Sequence, residues 1–167
     1  MTVSNLREML VHDLQDIYYV EKELTEELSE MAAQVETEEI EAALEEHREE
    51  TAVQVERLEE VFELLDEQPA EGPSEGIEGL ITEHRSFAEM NPGQEMLELH
   101  SLLSAQKTER YEITVYDNMI DMAEHLGLSE AGNLLFENLK EEKTALSNLV
   151  TLTEEFEYEA PTESTAD

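Results

Sequence analysis

Leu10, Leu14, Ile17, Glu21, Leu24, Leu28 and Met31 recur at alternating intervals of four and three residues, so they line one face of a helix that is apolar everywhere except at Glu21. Three later segments repeat the theme. The second carries Ile40, Leu44, His47, Thr51, Val55, Leu58, Phe62 and Leu65, with Glu50 one step aside. The third carries Leu99, Leu102, Gln106, Glu109, Ile113, Tyr116, Ile120 and Ala123, with Glu112 beside the stripe. The fourth carries Leu135, Leu139, Glu142, Leu146 and Leu149, with Glu141 adjacent. A helix with one apolar face must bury it against another element, and four such helices in 167 residues are enough to close a single core.

Punctuation sets the order of the helices. Ser4 is a candidate cap for a first helix running to about Val35, and a short connection leads to a second from about Thr37 to Asp66, giving an antiparallel hairpin. Between Gln68 and Gly93 lie Pro69, Gly72, Pro73, Gly76, Gly79 and Pro92, which mark a crossover of about residues 67–94 with room for an extra short helix from Ile77 to Met90. A third helix is expected from Gln94 to Leu126, stopped by Gly127, and a fourth from a Ser129 cap to about Phe156. The last stretch, residues 157–167, is small, polar and acidic and reads as a disordered tail.

The two hairpins also resemble each other at a shift of 91 residues: Gln15, Glu21, Met31, Ala32, Leu44, Glu50 and Leu58 fall on Gln106, Glu112, Met122, Ala123, Leu135, Glu141 and Leu149. Two related hairpins joined by one long crossover describe an all-α, ferritin-like antiparallel four-helix bundle over residues 1–156.

Acids are rarely buried unless something compensates their charge, so glutamates on four converging apolar stripes point to ligands for cations. The candidates are Glu21; His47 with Glu50; Glu109 with Glu112; and Glu141 or Glu142. Side chains at i and i+3 project from one helix face, and ferritin-like sites pair a Glu with a His at that spacing. Here His47 precedes its glutamate, and it is a ligand, a group orienting Glu50 or Glu21, or a satisfied buried histidine. Carboxylates with some imidazole suit two ions of iron or manganese, and zinc also accepts such donors. The competing arrangement has Glu21 snorkelling at the edge of the stripe or paired with Arg48 or Arg110. Tyr18, Tyr19, Tyr111 and Tyr116 lie within a turn or two of the acids, as core aromatics or as partners for a ligand carboxylate. His12, His84, His100 and His125 lack clustered acids on an apolar face and are expected at the surface or an interface. Met9, Met31, Met90, Met96, Met119 and Met122 have core spacings.

With 44 Asp and Glu against 9 Lys and Arg, the formal charge is −35, which excludes a basic nucleic-acid surface and disfavours anionic membranes. The acids are spread along every helix and lysine is scarce, a pattern that fits a salt-rich cytoplasm in which mutual repulsion is screened. The absence of cysteine excludes thiolate nucleophiles and sulfur-ligated metals. No run approaches the 18 or so apolar residues of a membrane span, so a soluble cytoplasmic protein is expected.

The run Asp16-Ile17-Tyr18-Tyr19-Val20-Glu21-Lys22-Glu23-Leu24, the stretch from His47 to Leu58, Glu109-Arg110-Tyr111-Glu112-Ile113 and Glu141-Glu142-Lys143 together resemble the ferritin-like family typified by the bacterial stress proteins YciE and YciF. The resemblance covers roughly residues 4–153 and implies a four-helix bundle, usually a homodimer, with a metal centre built from the acids above. A histidine is common in that family where Arg110 stands here. The leading expectation is a carboxylate-bridged dimetal protein acting in stress protection with oxygen or peroxide chemistry. Its rivals are a metal-free helical interaction protein and a carrier of apolar ligands.

Overall fold

Four amphipathic stripes need partners, and the chain pairs them in sequence order. A computed structural model describes residues 3–157, which form α1 (Leu6–Ala32), α2 (Glu38–Leu64), α3 (Glu75–Ala88), α4 (Gln94–His125) and α5 (Ser129–Glu154), with no strand among the described residues. α1 packs on α2 and α4 on α5, and the hairpins meet along α2 with α5 and α1 with α4. This is the ferritin-like bundle, with α3 as the extra helix of the crossover. Apart from Glu157, the expected acidic tail lies outside the described residues.

Local chemistry shifts two of the expected caps by one residue. Asn5 caps α1, its side-chain oxygen accepting from the Glu8 amide at 3.0 Å, while Ser4 instead donates to the Glu8 carboxylate through its amide at 2.8 Å and its hydroxyl at 2.6 Å. Leu128, not Ser129, is the cap residue of α5 and has no capping side chain, because the turn before it is closed by backbone alone. Gly127 adopts φ 71°, and the amides of Gly127 and Leu128 return to Glu124 and Ala123 at 3.0 and 2.9 Å, the left-handed stop that the lone glycine predicts. Thr37 sends its hydroxyl to Glu98 of α4 at 2.7 Å, and Glu98 also accepts the Glu36 amide at 2.6 Å, so a carboxylate from the second hairpin ties down the start of α2.

The α1 stripe is buried as read, all seven members lying within the core. α4 is turned slightly from the expected face: Glu112 and Met119 are buried where Ile113 and Ile120 were expected, and those two isoleucines are only half-buried. On α2 and α5, Gln54 and Ala145 are similarly buried in preference to Val55 and Leu146. An apolar arc wider than 100° leaves a one-residue choice open, and contact with two neighbours settles it. Met31, Met119 and Met122 are in the core, whereas Met9, Met90 and Met96 are exposed, contrary to their spacing.

α3 covers the bundle beside α4, burying Ile77 and Ile81. It is tied down from both sides. Arg85 reaches Glu27 of α1 at 2.7 Å, Lys107 of α4 pairs with Glu83, and the Gly72 amide donates to the Gln15 carbonyl at 2.9 Å. Among the described residues no helix is long and apolar enough to cross a membrane.

Candidate metal centre

Each of the four bundle helices places at least one polar side chain at the same interior point. α1 supplies Glu21, α2 His47, α4 Glu109 and Glu112, and α5 Glu142. The four glutamates are no more than 1% exposed and His47 is 4% exposed. One donor atom from each of His47, Glu109, Glu112 and Glu142 lies within 4.8 Å of all the others. Donors around one cation sit about 2.0–2.2 Å from it, hence up to about 4 Å apart, so this group could hold a metal ion with small adjustments. His47 Nε2 faces Glu109 Oε1 at 2.9 Å and Glu142 Oε2 at 3.9 Å. Glu21 adjoins Glu112, and Glu109 adjoins Glu142.

The polar inventory of the cluster is unbalanced in a way that shared protons or a cation could relieve. Ten buried side-chain nitrogen and oxygen atoms lack a hydrogen-bond partner among the described residues, and seven belong to this group: Glu21 Oε2, His47 Nδ1, Glu109 Oε2 and both carboxylate oxygens of Glu112 and Glu142. Two ionised carboxylates cannot hydrogen-bond to each other, so each adjoining pair must share either a proton or a cation. Burial, reinforced by the charge of Glu142, pushes Glu21 up to about 8; burial likewise pushes Glu109 up to about 8. Glu112 and Glu142 are also raised well above the ordinary carboxylate range, by burial and then by their acidic neighbours. An oxygen-rich, proton-hungry cluster with one imidazole fits a hard or borderline divalent cation.

The remaining candidates lie at the rim. Glu50 is half-buried next to His47, and burial raises its carboxyl above the ordinary range. Glu141 is half-buried and faces Arg57, which grips its two oxygens at 2.5 and 2.8 Å. Of the adjacent pair, Glu142 is therefore the one inside the cluster. Arg48 pairs with Glu45 at 2.8 Å and Arg110 turns to the Gln106 carbonyl at 2.9 Å, so neither compensates Glu21.

Sequence reading named Tyr116 as one possible partner for a candidate carboxylate but missed Asn138 behind it. Tyr116, fully buried, donates its hydroxyl to Glu21 and accepts from Asn138 at 3.0 Å; the Asn138 carbonyl in turn accepts from Arg57 at 2.9 Å. The chain of contacts runs from a half-buried guanidinium to a buried ligand candidate. Asn138 was detectable in principle, because it is the counterpart of His47 at the 91-residue shift, a polar residue on a stripe in both halves. His84 was expected at the surface or an interface and is 2% exposed, turned inward from α3 against His100 of α4.

Comparison with known proteins agrees with this architecture. Residues 5–160 match the family described as a domain of unknown function, DUF892. The chain belongs to this family. It is 33% identical to Protein YciF of Escherichia coli strain K12 over 153 residues, covering 91% of this chain and 92% of that one. The crystal structure of the E. coli stress protein YciF superposes with a TM-score of 0.86 at 33% identity, covering 90% and 96% of the two chains. YcfI from Rhodopseudomonas palustris gives a TM-score of 0.87 at 36% identity over 89% and 95%. The crystal structure of a protein from Xanthomonas campestris gives a TM-score of 0.74 at 25% identity over 90% and 93%.

Proposed function

We propose that this member of the DUF892 family is a carboxylate-bridged dimetal protein, holding two ions of iron or manganese and serving in stress protection through oxygen or peroxide chemistry. The observation that carries the reading is the set of seven partnerless donor atoms, all on side chains from four helices that meet at one buried point. The relative YciF is named a stress protein, which supports the physiological half. Bound there, the metal pair would supply redox and Lewis-acid chemistry.

The chain's own part is to hold and insulate. Glu21, Glu109, Glu112 and Glu142 give up the protons that burial makes them keep, and His47 offers nitrogen beside them. Tyr116 occupies Glu21 Oε1 and leaves Oε2 turned to the cluster. Arg57 neutralises Glu141 at the edge, and Glu50 stands near that pair as a further carboxylate. The apolar stripes above and below exclude bulk water. A carrier for lipids or pigments is not favoured, because the two cavities that reach the site measure about 20 and 40 Å³, against roughly 300–1,000 Å³ for a ligand pocket. A homodimer working at high ionic strength completes the reading.

Anaerobic iron(II) titration followed by elemental analysis tests it. Wild type is expected to retain two ions per chain after desalting, and the Glu21→Ala, Glu112→Ala double variant to retain none. Equal retention in both would assign the metal to surface acids and leave a metal-free helical protein. Salt adaptation has its own test. With a formal charge of −35, cooperative thermal unfolding is expected near 1 M salt, where the Debye length is about 3 Å, and is expected to be lost near 0.01 M, where it is about 30 Å. A transition unchanged in dilute buffer would sink that part.

A further inference from the structure

Helix α3 brings one buried group that the proposed chemistry does not use. His84 faces His100 of α4, Nδ1 to Nδ1, at 3.0 Å, so one ring must donate and the other accept. Phe87 stacks on His100 with centroids 3.9 Å and planes 6° apart, which fixes the pair laterally. Burial, then the neighbouring His100, pushes His84 down to about 4, so the ring is neutral at physiological pH. Its remaining polar atom, Nε2, is buried without a partner.

Two spaces lie on either side of that ring. Outside is a groove of about 280 Å³ between α1 and α3, lined by Glu27, Glu30, Gln34, Arg85, Glu89 and His84 itself. Inside is a cavity of about 20 Å³ that His84 shares with His47, Glu109, Ser104, Thr108, Glu27 and apolar residues of α1. His84 and Glu27 are thus the two residues common to the outer groove and the inner cavity; Arg85 holds the Glu27 carboxylate at 2.7 Å, which leaves the His84 ring as the uncharged partition. A single water needs about 10–15 Å³ of such space and two or more polar partners. The inner cavity offers that room, and both His84 Nε2 and Glu109 Oε2 are buried without partners. The Thr108 hydroxyl donates to the Ser104 carbonyl at 3.3 Å and keeps a lone pair to accept. A guest that both donates and accepts suits this lining better than an apolar one.

We propose that His84 gates a passage for one small hydroxylic molecule, water or hydrogen peroxide, from the α1–α3 groove to the carboxylate cluster, with a resting water held between His84 and Glu109. The purpose of the passage rests on the dimetal reading; its existence does not. α3 then does more than connect the hairpins, since it closes the centre on one side with the His84 ring and, through Arg85, the Glu27 carboxylate beside it.

Metal-free full-length protein tests the passage first, by a crystal structure at high resolution and by oxygen-17 water relaxation in solution. One ordered water within hydrogen-bond reach of both His84 and Glu109 is expected, exchanging at least tenfold faster in His84→Ala. An empty cavity, or exchange unchanged in the variant, overturns the proposal. In iron-loaded protein, hydrogen peroxide should oxidise the metal at least fivefold faster in His84→Ala and at least fivefold slower in His84→Phe, with equal iron content. The opposed signs exclude simple detachment of α3, which would speed both variants. Equal rates in all three proteins overturn the gate. If wild type retains no iron while the water behaves as expected, the dimetal reading fails and the water passage stands.

Discussion

Metal-free Glu112→Leu is expected to be more stable than wild type, while losing the metal. Glu112 is fully buried, and neither of its carboxylate oxygens has a hydrogen-bond partner. Without a cation it either keeps a proton against its preference for water or leaves a charge in a low-dielectric interior beside Glu21, Glu109 and Glu142. Leucine has nearly the same volume and no such demand. Replacing buried ionic groups by well-packed apolar ones stabilises by about 1–4 kcal/mol in comparable cases. For a chain of this size each kcal/mol should raise the melting temperature by about 2–4 °C. Thermal unfolding in chelator gives the sign, and elemental analysis after metal loading gives the loss. A variant less stable than wild type in chelator would mean that the carboxyl is compensated from within the protein, and the case for a cation would weaken.

The second large effect is a reversal of pH dependence by metal. Glu21 and Glu109 have folded values near 8 against an ordinary 4.5, and Glu112 and Glu142 are raised as well. The folded chain therefore binds more protons than the unfolded chain between those limits, and its stability falls as pH rises. The contribution is complete below about 4.5 and is lost as pH passes through about 8. With chelator and high constant salt to mask the surface acids, denaturant midpoints should decline steadily from pH about 5 to about 8. Saturating manganese should turn the trend upward, because a cation takes the place of the protons and binds more tightly as they leave. The decline should be shallower in Glu112→Leu, which removes one titrating group. Midpoints that stay flat in chelator would show that these carboxyls are not held protonated by burial.

These two effects share one cause, which also explains how much of the site was legible beforehand. Glu21 stood out because the rest of its stripe is apolar, and the structure buries it completely. Glu50 and Glu141 correspond at the 91-residue shift and both lie half-buried at the rim, whereas Thr51 and Glu142, which also correspond, face the interior from α2 and α5. The pseudo-symmetry of the hairpins thus predicts levels along the bundle correctly. It does not reveal that one half supplies an acid where the other supplies a hydroxyl, or that His47 is answered by Asn138.

Four helices, their pairing into two hairpins and the crossover between them are written in the chain itself, since period, caps and Gly or Pro breaks act over a few residues and need no distant partner. Whether Glu141 or Glu142 turns inward, whether Glu112 joins Glu109, and whether His84 is buried depend on neighbours far away in sequence. Arg57 captures Glu141, packing of α3 against α4 buries His84, and contact with both α1 and α5 sets the rotation of α4. Adjacent residues on a helix differ by only about 100° in direction. A broad apolar face tolerates either, and only packing from the other helices chooses.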